Sequence, residues 1–308
     1  MPAIRNVLLW CSENEWLKNH IPRYRFIKKA VKKFMPGESA SDALEAARKL
    51  KGNNIPAVFT RLGENITSLL EAYNTTGHYL KLLEDIGNAE LDGEVSVKLT
   101  QIGFDLSAEE TYKNLARIAL KSAGMNKLVW IDMEGSGYTG ATIDFYERIK
   151  KEHPNTGICI QAYLYRSAED LERLMKIDAN IRLVKGAYKE SEGVVYKSKQ
   201  KIDENYFNLA KVLLNRIKQN GIRGAFATHD LELVNRITGE AERMGIDRSR
   251  LEFQMLYGIR TNDQKMLAAR GNRMRVLISY GESWYPWYVR RLAERPANML
   301  FVVKNIFK

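Results

Sequence analysis

The chain has 308 residues, 45% of them hydrophobic, enough for one large domain or two small ones with a sizeable core. A formal net charge of +11 favours acidic ligands or an anionic lipid surface, but the basic residues are spread without a long run and without a zinc-finger or RNA-recognition signature, so no nucleic acid partner is expected. Two cysteines and four scattered histidines argue against a disulfide framework and a metal site.

Met1 to Trp10 carries one arginine and a brief apolar run without a small-residue cleavage site, which makes a poor signal peptide. No apolar run reaches membrane-spanning length, so the expected compartment is the cytoplasm. Residues 1–50 read as a basic, helical N-terminal segment, with Arg23, Arg25, Lys28, Lys29, Lys32 and Lys33 clustered before Pro36-Gly37. Ser39 to Lys51 has the pattern of a capped helix, Ser41-Asp42 leading into Ala43, Leu44, Ala46, Ala47 and Leu50. From Ile55 on, eight short apolar runs read as strands: Ala57–Thr60, Val95–Thr100, Leu128–Met133, Gly157–Ala162, Ile181–Lys185, Gly224–Thr228, Glu252–Leu256 and Met274–Ser279. Helical patterns fill most of the gaps, at Ile66–Ile86, Ala108–Ser122, Ala141–Glu152, Ser167–Met175, Asp203–Gln219, Leu231–Met244 and Thr261–Ala269, with a closing arginine-bearing helix. Eight strand–helix units in about 250 residues is the arithmetic of an α/β fold of the TIM type, a (βα)8 barrel. A doubly wound open sheet is the alternative, although no early glycine-rich dinucleotide fingerprint supports it.

Successive side chains face opposite sides of a strand, so parity sorts these runs into two faces. Val95, Val97 and Leu99 oppose Ser96, Lys98 and Thr100; Val129, Ile131 and Met133 oppose Trp130, Asp132 and Glu134. Ile158, Ile160 and Ala162 oppose Cys159, Gln161 and Tyr163, while Arg182 opposes Ile181 and Leu183. In the last strand Arg275, Leu277 and Ser279 oppose Val276 and Ile278. One face is consistently apolar and suits packing on helices. The other places Lys98, Asp132, Gln161 and Arg182 inside the barrel, mostly near strand C-termini, where barrels keep their active sites. A Lys98–Asp132 pair can be purely architectural, but several buried charges on neighbouring strands are costly without a use, which favours a site.

Three strand ends and the last helix carry the remaining signals. Arg182 to Glu190 ends the fifth strand with a turn at Gly186, where a bare backbone admits a flat ligand or a phosphate. Thr228-His229-Asp230 ends the sixth; its imidazole suits a phosphate or ribose, and its aspartate suits a helix N-cap. Phe253 to Gly258 ends the seventh and reads as core on pattern alone. After Gly281, Trp284 to Tyr288 crowd aromatics ahead of Arg290 and Arg291, with Glu294 a turn further on. An exposed basic face with an i,i+4 pair would explain an isolated Arg-Arg. The aromatic crowding favours a partly buried clamp, whose planar guanidinium forks match a carboxylate.

Taken in order, these motifs resemble the proline dehydrogenase family, in particular its monofunctional bacterial members, over roughly Ala43 to the C-terminus. The resemblance rests on Val95-Ser96-Val97-Lys98-Leu99-Thr100, Ile131-Asp132-Met133-Glu134, Gln161 to Arg166, Arg182 to Tyr188, Phe226-Ala227-Thr228-His229, Glu252 to Gly258 and Arg290-Arg291-Leu292-Ala293-Glu294. It implies a (βα)8 barrel with extra N-terminal helices and the last helix packed over the C-terminal face of the strands, residues 51–308 forming a flavin-binding catalytic barrel. It implies non-covalent FAD and oxidation of L-proline to Δ1-pyrroline-5-carboxylate, the first step of proline catabolism, with electrons passed to a membrane quinone. Lys98, Asp132 and Arg182 would be catalytic. Lys98, Arg290 and Arg291 would hold the substrate carboxylate, Asp132 would pair with Lys98, and Ala187, Leu256 and Leu277 would line the ring. Arg182 would lie beside the flavin N5, with Asp132, Met133, Gln161, Lys185, Gly186, Ala187, Tyr188, Thr228, His229, Gln254 and Leu256 along the cofactor. Glu294 would orient the arginine pair. A quinone acceptor implies peripheral contact of a cytoplasmic enzyme with the inner face of the membrane, through Arg23 to Lys33 or the amphipathic tail Phe301 to Lys308.

The eighth strand departs from the family, which usually reads Arg-Val-Tyr-Val/Leu-Pro-Tyr-Gly. Here Leu277 stands for the tyrosine and Ser279 for the proline. Two further readings therefore stay open: a relative that oxidises another cyclic or secondary amino acid, and a non-catalytic basic barrel that binds an anionic partner.

Overall fold

A computed structural model describes residues 10–11, 14–20, 31–63 and 66–294, apart from the side chains of residues 15, 18, 19, 291, 293 and 294. Most of the basic cluster expected at 23–33, and the tail 301–308, lie outside the described residues. Eight parallel strands close into a barrel in sequence order: β1 (Ala57–Arg61), β2 (Gly93–Val97), β3 (Val129–Ile131), β4 (Thr156–Gln161), β5 (Asn180–Val184), β6 (Gly224–Ala227), β7 (Glu252–Leu256) and β8 (Arg273–Tyr280), which pairs back on β1. The open-sheet alternative is thereby excluded. Helices α1 (Glu15–His20) and α2 (Ala40–Lys51) precede β1. Then α3 (Leu69–Asn88), α4 (Ala108–Ala123), α5 (Thr139–Glu152), α6 (Ser167–Met175), α7 (Lys199–Lys218), α8 (Leu231–Arg243) and α9 (Thr261–Ala269) follow successive strands, and α10 (Trp284–Glu294) follows β8. Among the described residues no helix is long and apolar enough to cross a membrane.

Local chemistry sets most helix starts. Ser39, Ser68, Ser107, Ser198 and Asp230 each accept a first-turn backbone N–H with the side chain, at the heads of α2, α3, α4, α7 and α8. At α2 the cap is Ser39 rather than the expected Ser41-Asp42. Asp42 returns a bond to the Ser39 N–H at 3.0 Å and so closes a capping box. β2 stops at Val97, short of the expected Thr100, because Glu134 takes the Thr100 N–H at 3.2 Å and its hydroxyl at 2.7 Å and bends the chain into a 3-10 turn.

The alternation along the strands holds. Val95, Val97, Ile131, Ile158, Leu183 and Val276 merge with the helices into one continuous core, while Val58, Trp130 and Ala225, with Leu277 against them, form a small separate cluster inside the barrel. The N-terminal end of the barrel is closed by buried charge. Arg223 reaches Glu252 with Nε at 2.8 Å and Glu94 with Nη2 at 3.1 Å, Arg275 Nε lies 3.7 and 3.6 Å from the same two carboxylates, and Trp130 Nε1 donates to Glu94 at 2.9 Å. Burial pushes the Glu94 carboxyl up, but Arg275 and Arg223 outweigh it and hold it below the usual range.

Two helices exchange the places a regular barrel would give them. Ala43, Leu44, Ala46 and Ala47 of α2 join the helix–strand core, packed against β8 and β1, where the helix after β8 would lie. That helix, α10, instead covers the C-terminal ends of the strands, in a second core with Leu62, Leu256, Val31, Phe34 and Met35. Trp284 Nε1 donates to Glu38 at 3.0 Å and ties the cover to the N-terminal segment. Gly258, at φ +72°, has the Lys33 carbonyl where a Cβ would be, so no other residue fits there.

Candidate active site

Beneath α10, the inward residues of β2, β3, β4 and β5 converge. Arg182, 3% exposed, donates from Nη1 to Ser96 Oγ at 2.8 Å and to Asp132 Oδ1 at 3.0 Å, with Cys159 Sγ at 3.6 Å. Ser96 Oγ donates in turn to Asp132 Oδ1 at 2.6 Å. Asp132 is thus partnered by Arg182, because the barrel's stagger brings mid-β5 level with the end of β3. Among the described residues Arg182 Nε and Nη2 are buried and have no hydrogen-bond partner. Gln161 donates to the Met133 and Glu134 carbonyls at 3.4 and 3.2 Å, which leaves its Oε1 buried without a partner among the described residues. Burial raises the Cys159 thiol to about 12, so it stays protonated and is no nucleophile.

Lys98 is buried at the end of β2. Arg290 reaches from α10 toward the loop after β5, its Cζ 5.5 Å from the Tyr188 ring. Leu256 and Leu277 pack with the α10 aromatics, and Ala187 is half-buried on the loop after β5, next to Tyr188. The side chains of Arg291 and Glu294 fall outside the described residues. Thr228 is buried, and His229 Nε2 accepts the Leu256 N–H at 3.0 Å, which puts the proton of the neutral ring on Nδ1.

The other expected residues each have partners within the chain. Lys185 is held by Asp203 and by Asp230, the latter at 3.0 Å, and Lys199 bonds the same two carboxylates. Burial raises the Asp230 carboxyl, but the two lysines outweigh it and hold it at about 2, while the same side chain caps α8. Gly186, at φ +113°, faces the Tyr163 ring where a Cβ would be, so this chain's own tyrosine accounts for the bare backbone. Met133 packs its side chain in the outer core, leaving only its backbone near the site. Gln254 donates to Glu252 at 2.6 Å, toward the N-terminal charge network.

Sequence reasoning missed Glu190. Its carboxylate accepts the Ser136 N–H at 2.7 Å, the Ser136 hydroxyl and the Tyr163 hydroxyl, and so ties the loops after β3, β4 and β5 together. No periodicity marks a residue in such a loop. Among the described residues no cluster of ligating side chains could hold a metal. The arrangement that remains is cationic at the barrel mouth, roofed by aromatics, with two guanidinium donors and one amide acceptor unused.

A family model described as proline dehydrogenase matches residues 43–304. Proline dehydrogenase 1 of Bacillus subtilis is 37% identical over 305 residues, 99% of each chain. The proline dehydrogenase of Deinococcus radiodurans is 34% identical over 283 residues, 90% of each chain. Among solved structures, proline utilization A from Bdellovibrio bacteriovorus inactivated by N-propargylglycine aligns over 94% of this chain with a TM-score of 0.80 and 28% identity; the chain spans 38% of that protein. With its closed barrel, its roofing helix and a full-length likeness of this strength, the chain belongs to the proline dehydrogenase family.

Proposed function

We propose that the chain oxidises L-proline to Δ1-pyrroline-5-carboxylate, using non-covalently held FAD and passing the electrons to a quinone. The observation that carries this is Arg182, a buried guanidinium with two nitrogens, Nε and Nη2, unused among the described residues. Such donors are expensive unless a ligand supplies the acceptors. Gln161 Oε1 adds an unused acceptor. The edge of an isoalloxazine ring carries carbonyl oxygens, ring nitrogens and one N–H, so this donor and acceptor set fits FAD.

FAD, when bound, supplies the acceptor for a hydride leaving proline C5, while the proline nitrogen gives up its proton. Arg182 supplies fixed positive charge for a more electron-rich cofactor. Asp132 and Ser96 keep that guanidinium in place, since both bond its Nη1. Lys98 and Arg290, with Arg291, hold the substrate carboxylate and so orient the ring. Ala187, Leu256 and Leu277 give the ring an apolar wall and exclude water, aided by the aromatics of α10. Lys185, Gly186, Tyr188, Thr228, His229 and Gln254 flank the cofactor, and Met133 contributes through its backbone. The quinone step, and peripheral contact of a cytoplasmic enzyme with the inner membrane face, are supported by the resemblance alone.

The test is spectroscopic. The purified chain is expected to show visible flavin bands, to release all its colour on acid treatment, and to bleach anaerobically with L-proline. Protein that takes up no FAD overturns the cofactor assignment. Bleaching by another cyclic amino acid but not by proline favours the reading that Leu277 leaves open, a relative that oxidises a different cyclic or secondary amino acid.

A further inference from the structure

We propose that Trp130 is a positioning residue for Arg182, and through it sets how strongly the site favours reduced over oxidised flavin; this rests on the FAD reading above. Trp130 is fully buried on β3, in register beside Ser96 of β2 and Gly157 of β4. A Cβ on Gly157 would come within 2.7 Å of the indole Cε3 and Cζ3, so this glycine leaves room for the ring to lie across the barrel. The Arg182 Cζ lies over the indole at 4.6 Å from its centroid, and the Arg223 Cζ at 5.5 Å. Arg182 belongs to the mouth, Arg223 to the charge network at the other end. The indole edge is itself fixed, because Nε1 donates to Glu94 at 2.9 Å within that network.

Among the described residues all hydrogen bonds to the Arg182 guanidinium go to Nη1, through Ser96, Asp132 and Cys159. With bonds to one nitrogen only, the tilt of the plane is limited by little more than the torsions of its own side chain. An aromatic face removes that freedom, since a guanidinium over an indole is held by the ring's negative face. With the swing removed, Nε–H and Nη2–H keep one direction, and donors fixed in advance need no reorganisation when negative charge gathers on the cofactor. Loosening the indole should therefore weaken binding of reduced flavin more than of oxidised flavin.

The measurement is the midpoint potential of the FAD-loaded full chain for the parent, Trp130→Leu, Trp130→Phe, Ser96→Ala and Arg182→Met. Trp130→Leu removes the face and is expected to cut the preference for reduced flavin about tenfold, a fall of roughly 30 mV for a two-electron couple. Trp130→Phe keeps a face without Nε1 and should recover most of that loss. Ser96→Ala frees Nη1 and should shift the potential in the same direction, and it carries the test if the leucine variant does not fold. A tryptophan that only fills space would lower thermal stability in both Trp130 variants while the potential stayed at the parent value. That result overturns the proposal whatever Ser96→Ala does. An unmoved Arg182→Met overturns the flavin-side role of Arg182 itself, and the inference with it.

Discussion

Leu277 sits where parity puts it, inside the barrel, against both the inner cluster and the α10 aromatics. Two aromatics near the missing tyrosine's place are committed elsewhere: Tyr280 bonds His78 Nε2 at 2.7 Å, and Trp284 bonds Glu38. Leu277→Tyr is therefore expected to tighten L-proline binding by roughly 1 kcal/mol, one net hydrogen bond and a ring contact. Steady-state kinetics on L-proline and 4-hydroxyproline decide it, and an unchanged or weaker proline affinity rejects the assignment. Arg290→Met should weaken proline binding about ten- to a hundredfold, the loss of one charge-assisted bond at about 1.5–3 kcal/mol. Arg290→Lys should recover only part, because an ammonium lacks the planar fork. Titration of the Met variant indistinguishable from the parent would move the carboxylate clamp elsewhere. Which side chains face inward was legible because alternation is a local property of ten residues or fewer. Which of them touch was not, and the Arg182–Asp132 contact shows why. It depends on register between β3 and β5, strands separated by a helix, a further strand and another helix.

At the scale of elements, β8 hands over to α10 at Gly281, and the residue before it is pinned from outside. His78 of α3 meets Tyr280 at 2.7 Å, with the rings 5.7 Å apart. Burial, then the nearby Arg61, lowers His78 from 6.5 to about 4. The ring is thus neutral in folded and unfolded chains alike above pH 6.5, and this contribution is fully present there. As pH falls from about 6.5 to 4 the unfolded chain takes up the proton first, so stability falls through that window, by roughly 1–2 kcal/mol once partial solvent screening is allowed for. His78→Gln keeps a polar partner for Tyr280 and does not titrate. Its unfolding free energy should lose less than the parent's between pH 6.5 and 4, and equal losses would sink the idea. The strands and most helices were legible as periodic runs with serine or aspartate caps. The Glu190 tie and the Lys185–Asp203–Asp230 group were not, because they join loops whose only order comes from the barrel beneath them.

For the whole molecule, the buried charges at the N-terminal end matter more than the net charge of +11, which is mostly spread over the surface. Glu94 and Glu252 are each 2% exposed and share Arg223 and Arg275. Arg223→Met leaves two buried carboxylates to one arginine. It should cost about 3–5 kcal/mol in denaturant unfolding, the usual penalty for breaking a buried pair from one side. A variant within roughly 1 kcal/mol of the parent, an ordinary surface effect, would show that the network adds little. The arithmetic of eight strand–helix units made the barrel legible in the sequence. The place of α2 was not, since an amphipathic pattern shows that one face is buried and not what buries it. That place has a cost during synthesis. α2 and β1 both wait for β8, which leaves the ribosome roughly two hundred residues after them, about 10–40 s at ordinary elongation rates. For that interval the nascent chain carries an unpaired strand edge and an uncovered alanine-rich stripe. The seam between β1 and β8 is thus the last part of the barrel to close and the first place where a stalled or truncated chain would be recognised by chaperones.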